Sequence, residues 1–221
     1  MVDCIRLQKL GRRFQRQWLF RGVEVAFSKG DIVAVLGGNG SGKSSITSML
    51  AGFLSPSEGQ ILWESESKII PVDSWWNRVA WCSPTLELPL SLSIKEVIHL
   101  YDEMRGYHVN WSPDTIIEAL ELDGHLSKPL IQLSSGMRQR VKLMIAFALN
   151  ADVLILDEPT AHLDAKSIEW YKKQIANVQH HFIFIASNHD QDEIGCCNKS
   201  IEIIPGGQVL INHSLSLQGE K

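Results

Sequence analysis

The chain has 221 residues, 44% of them hydrophobic, and its 25 acidic and 21 basic side chains leave a net charge of −4. That length supports one buried core with a small insertion, and the charge balance argues against a surface that holds nucleic acid through a strong positive field. No stretch approaches the roughly 20 apolar residues of a bilayer-crossing helix, and "MVDCIRLQKLGRRF" lacks the apolar run of a signal peptide, so a cytoplasmic chain is expected. Cys4, Cys82, Cys196 and Cys197 show no paired C-x-x-C spacing and are read as reduced thiols.

In chain order, the β-rich runs "VEVAF" and "DIVAVL" lead into "GGNGSGKSS", and "SSITSMLAGFL" after it has helical spacing before "SPSEG" turns the chain. From Trp75 to about Leu130 the pattern reads as helical, with "SIKEVIHLYDEMRGY" followed by "SPDTIIEALEL", the latter capped by Ser112 with Pro113 at its first position. Then come the helix "GMRQRVKLMIAFALN", the apolar run "DVLILDE", the helix "AKSIEWYKKQIANV", the strand "HFIFIAS" and the pair "SIEII" and "GQVLI". Strands alternating with helices predict a mostly parallel sheet covered on both faces.

"GGNGSGKSS" fits G-x-x-x-x-G-K-[ST] through Gly37, Gly42, Lys43 and Ser44, with Gly38, Asn39, Gly40, Ser41 and Ser45 completing the loop. Glycines let successive N–H groups approach phosphates, Lys43 can reach the β and γ groups, and the Ser44 hydroxyl can ligate Mg²⁺. A strand before and a helix after are the context this motif requires. "DVLILDEP" ends a buried strand in Asp157 and Glu158 at the sheet edge where open α/β folds bind ligands. Asp157 suits a metal contact, and Glu158, one residue further out, suits polarising an attacking water. "LSSGMRQR" offers a second helix start, and so a second anion site, in a chain that already has one.

In this order and spacing, "GGNGSGKSS", "LSSGMRQR", "LILDEPTAHLD" and "SNHD" resemble the nucleotide-binding subunits of ATP-binding cassette (ABC) transporters over nearly the whole chain, Ile5 to about Ile211. The resemblance implies an α/β P-loop NTPase of the ABC type. Its mostly parallel sheet would carry an antiparallel β part and a helical subdomain at about 84–150, all within one domain, 1–221. It implies ATP and Mg²⁺ as ligands, Ser44 and Asp157 toward the metal, and Glu158 and His189 as catalytic groups. Two cassettes, identical or not, would pair head to tail, so that Leu133, Ser134, Ser135, Gly136 and Met137 close on the partner's nucleotide. Ala161 to Asp164 resembles the loop along that seam, and Phe14, or Trp18 if the alignment slips, falls where the family stacks an aromatic on adenine.

Two departures stand out. Ser135 and Met137 replace a glycine and the glutamine of LSGGQ, and "VAWCSPTLELPLSLSIKEV" lacks the glutamine that the family carries there. Pro84 takes its approximate position, leaving Ser83 or Glu87 as substitutes. The implied partner is a separate transmembrane permease, with this chain peripheral on the inner membrane face; the short length and "RRFQRQWLF" resemble small haem-exporter cassettes. The alternative is a soluble ATPase of the iron-sulfur cluster assembly type. A chromosome-maintenance ATPase would need long insertions for which there is no room. Trp75, Trp76 and Trp81 are candidate anchors for a coupling helix of the permease.

Overall fold

The computed structural model describes residues 1–214, so the last seven positions of the expected single domain lie outside the described residues. The chain runs β1 (Cys4–Phe14), β2 (Gln17–Ser28), β3 (Ile32–Gly37), α1 (Lys43–Leu50), β4 (Glu58–Ser65), β5 (Lys68–Ile70) and β6 (Val79–Cys82). It continues through α2 (Ile94–Arg105), α3 (Pro113–Leu120), α4 (Ser135–Ala148), β7 (Val153–Asp157), α5 (Ala165–Ile175), β8 (Phe182–Ser187), α6 (Gln191–Ile194), β9 (Lys199–Ile203) and β10 (Val209–Asn212). One sheet is antiparallel, in the order β2-β1-β4-β5. The other has six strands, β10-β9-β3-β8-β7-β6, parallel except for the edge strand β10.

The period-2 geometry of strands divides the six-stranded sheet into two buried faces. Ala34 and Leu36, Leu154 and Leu156, and Ile183 and Ile185 join one core with residues of α2, α3, α4 and α5. Their neighbours Val33 and Val35, Val153 and Ile155, and Phe182 and Phe184 join a second core with α1 and the antiparallel sheet. This confirms the expected parallel sheet covered on both faces. Helix α1 thus packs between the two sheets, and the loop that joins it to β3 lies at the carboxyl edge.

One expectation needs correction. The stretch from Trp75 read as helical contains β6, whose short run "VAWC" pairs in parallel with β7, Val79 opposite Val153; α-helix begins only at Ile94. Four residues are too few to show a period, and burial beside β7 decides their conformation. Upstream, β1 gave no strand signal because Lys9 adopts φ 47 and the register shifts between Leu7 and Leu10, which breaks the alternation.

The helices of the insertion start as their residues dictate. Ser93 and Glu96 form a capping box at α2, and Ser112 caps α3 with Pro113 inside the first turn; such a cap contributes about 1 kcal/mol. Among the described residues, no helix is long and apolar enough to cross a membrane.

Candidate nucleotide site

β3 ends at Gly37, whose φ of 146° brings its α-carbon so close to the returning loop that a Cβ would lie 2.6 Å from Ser41 Oγ and 2.8 Å from the Ile203 carbonyl. Gly42 caps α1 at φ 111, where a Cβ would meet the Phe20 ring at 3.1 Å. Any side chain at these two positions would open the loop. No side chain caps α1, so its first-turn N–H groups keep their capacity for an anion. Lys43 is buried and folds back, donating to the carbonyls of Gly37 at 2.8 Å and Gly38 at 3.3 Å. Ser41 Oγ is buried without a hydrogen-bond partner, an orphan that a phosphate oxygen would satisfy.

β7 delivers Asp157 and Glu158 beside this loop. Burial pushes the Asp157 carboxyl up from its ordinary value; the Ser44 hydroxyl pulls it down, Glu158 adds to the rise and Lys43 opposes it. A hard divalent cation suits such a hydroxyl–carboxylate pair, with phosphate and water completing the oxygen shell. Glu158 takes φ 48 and donates its N–H to Ala186 O at 3.0 Å. That left-handed residue turns the chain off the sheet edge, and Glu158 lines one cavity of 250 Å³ with Asn39, Gly40, Gly42, Lys43, Ser44 and Ser45. The phosphate loop and the expected base therefore meet.

An adjoining cavity of 450 Å³ reaches from Gly38 and Ser41 to Trp18 and the 203–207 turn. Phe14 lines neither cavity; it lies at the end of β1, 63% exposed. Trp18 does line the second, its ring held under the guanidinium of Arg21 at 4.7 Å. His189 has φ 63, is half exposed, and reaches Glu202 Oε1 at 3.5 Å from Nε2 rather than entering the loop cavity.

The signature lies elsewhere. Ser134 caps α4, accepting from Met137 N–H at 3.2 Å; Leu133 is buried, and Ser134 and Ser135 are exposed. A Cβ on Gly136 would come within 2.8 Å of His162 O, so this glycine admits the loop that follows β7. Ser135 and His162 line a separate cavity of 510 Å³ with Pro84, Glu87 and Lys142. Of the two glutamine substitutes, Glu87 lines this cavity, and Ser83 is buried with its hydroxyl 3.1 Å from Thr85 Oγ1. Neither lines the phosphate-loop cavity.

Several tying residues escaped the sequence reading. Gln139 is buried and donates to Pro159 O at 2.9 Å; Lys142 donates to Ser83 O and Leu86 O. Buried Glu193 accepts from Thr160 N at 3.1 Å and Thr160 Oγ1 at 2.8 Å, and burial raises its pKa despite those bonds and one from Ser187. The available signal was spacing: Ser135, Gln139 and Lys142 recur on one helix face. Of the tryptophans, Trp75 is buried and stacks on Trp63 at 4.4 Å, whereas Trp76 is 62% exposed and Trp81 stacks on exposed Phe53 at 4.9 Å.

A glycine cradle at the carboxyl edge of a parallel sheet, with two carboxylates at the end of β7, the next strand but one, defines a P-loop nucleotide-binding fold. The ABC transporter family model matches residues 20–161, and the chain belongs to that family. The cytochrome c biogenesis ATP-binding export protein CcmA of Tatumella citrea is 31% identical over 162 residues, covering 72% of this chain and 75% of that protein. The spermidine/putrescine import ATP-binding protein PotA of Mycoplasma capricolum is 25% identical over 220 residues and 94% of this chain, which spans 60% of that relative's length. An ATP-binding cassette solved as a dimer in a post-hydrolysis state with ADP and Pi superposes with a TM-score of 0.78 at 19% identity, covering 98% of this chain and 100% of that one. The fold is that of the ABC cassettes.

Proposed function

We propose that this chain binds and hydrolyses ATP as the energy-coupling cassette of a transporter whose membrane-spanning part is a separate subunit. The observation that carries the reading is the shared cavity: Glu158 faces the phosphate loop, while the signature opens into a different space. Lys43, released from the Gly37 and Gly38 carbonyls, binds the β and γ phosphates, and the loop N–H groups bind the rest. Ser44 and Asp157 would hold Mg²⁺, which supplies charge neutralisation between the phosphates when bound. Glu158 orients and deprotonates the attacking water, and His189 swings from Glu202 toward the γ-phosphate.

A signature that its own phosphate loop cannot use suits a head-to-tail pair, in which Ser134, Ser135 and Gly136 complete the partner's site. Trp18, already at the cavity wall, takes the adenine platform in preference to exposed Phe14. Exposed Phe53, stacked on half-buried Trp81, and exposed Trp76 offer aromatic anchors suited to the membrane subunit, which favours transport over a soluble iron-sulfur role and gives the chain a peripheral place on the inner membrane face.

The test is steady-state hydrolysis by the purified chain beside Glu158→Gln. The wild type should turn over ATP, and the variant should bind it while losing on the order of 100-fold or more in kcat. Equal turnover by the two would remove Glu158 from its role.

A further inference from the structure

Helix α4 begins at the signature and turns Ser135, Arg138, Gln139 and Lys142 toward the loop after β6. Steps of three, four and seven keep these residues on one face. The facing loop is a tight turn: Leu86 N–H donates to Ser83 O at 3.3 Å, with Pro84 at the second position, where its fixed φ is favoured. Lys142 Nζ crosses to this turn and donates to Ser83 O at 3.1 Å and Leu86 O at 3.2 Å. One ammonium thereby holds both ends of the turn through charge-assisted bonds.

The location gives the clamp its consequence. Ser83 follows Cys82, whose strand partner is Leu156, so the turn abuts the strand end that carries Asp157 and Glu158. Downstream, the same segment leads into α2, the first helix of the insertion. Pro84 offers neither a side-chain donor nor an acceptor, so the turn's polar link to α4 is made from outside by Lys142.

We propose that Lys142 is a positioning residue of the ATPase cycle, clamping the Ser83–Leu86 turn to α4 so that turn and signature move as one body. The proposal rests on the ATPase reading above and adds to it how this chain joins its insertion to its signature. Loss of the clamp lets the turn move without α4, which slows the catalytic step without weakening ATP binding.

The experiment compares the full chain as wild type, Lys142→Met, which keeps the stem and removes the charge, and Lys142→Arg, which keeps the charge. For Lys142→Met, kcat should fall about tenfold with KM for ATP within about twofold, and amide exchange across Thr85 to Leu88 should quicken about tenfold. Lys142→Arg should restore both. An unchanged kcat, a loss confined to KM, or slowed turnover with unaltered exchange in the turn would each overturn the clamp. A wild type without hydrolysis would defeat the ATPase reading instead, and the exchange comparison alone would then decide whether Lys142 holds the turn.

Discussion

The phosphate loop and the signature are both helix starts, and they are held in opposite ways. At α1 the cap is Gly42, no side chain satisfies the first turn, and Lys43 rests on carbonyls of its own loop. At α4 the hydroxyl of Ser134 already accepts from Met137 N–H, and Gly136 lies beneath His162. The first end is an open set of donors whose lysine must let go; the second is a finished surface that can be presented to another molecule. A helix N-terminus alone therefore does not say how a site is used, and the caps of these two ends differ.

The strongest way to break this contrast is to empty the first site. Lys43→Ala should weaken ATP binding by about 100-fold or more, because the cation that answers the β and γ phosphates is gone, whereas Ser134→Ala should change the affinity of the isolated chain by less than about twofold. Titration with a fluorescent nucleotide reads both. A comparable loss in Ser134→Ala would mean that the signature serves its own nucleotide.

A smaller effect is expected where the signature meets the loop after β7. Gly136→Val puts bulk where a Cβ already lies 2.8 Å from His162 O, and overpacking of this kind costs about 1–3 kcal/mol. Thermal unfolding should drop accordingly while ATP binding by the phosphate loop persists. An unshifted melt would show that the loop is free to retreat.

The smallest effect lies at the opposite edge of the sheet. Both ring nitrogens of His180 are buried without partners, and burial, followed by His108 and His181, lowers its pKa to about 3 from 6.5. The unfolded chain therefore binds a proton below about pH 6.5 that the folded chain refuses down to about 3, so stability falls as pH drops through that window. Melting at pH 7 and about pH 5 should show a larger decrease in the wild type than in His180→Phe. Equal slopes would mean that this ring does not govern the acid limb.

The phosphate loop was legible because its chemistry is written in consecutive residues: glycines where φ is positive, a lysine and a serine at fixed spacing, and a β-branched run before them. The signature's surroundings were not, because they depend on contacts across long separations, Gln139 with Pro159 and Lys142 with Ser83. β6 was hidden by its brevity, and β1 by the bulge at Lys9. Trp75, Trp76 and Trp81 look alike in sequence, yet only the fold separates the one stacked inside from the one left outside.

Complementation between two defective chains tests the division of labour most directly. Lys43→Ala spoils the phosphate loop, and Ser134→Arg puts bulk and charge where the signature must approach a phosphate; each homodimer then has two damaged sites. In a mixed head-to-tail pair, the intact loop of the second chain faces the intact signature of the first, and both defects fall in the other site. Fluorescence transfer between differently labelled chains should therefore report a heterodimer that forms on adding ATP and is absent from either variant alone. No transfer at saturating ATP, with both variants folded, would contradict the assignment of the signature to the partner's nucleotide.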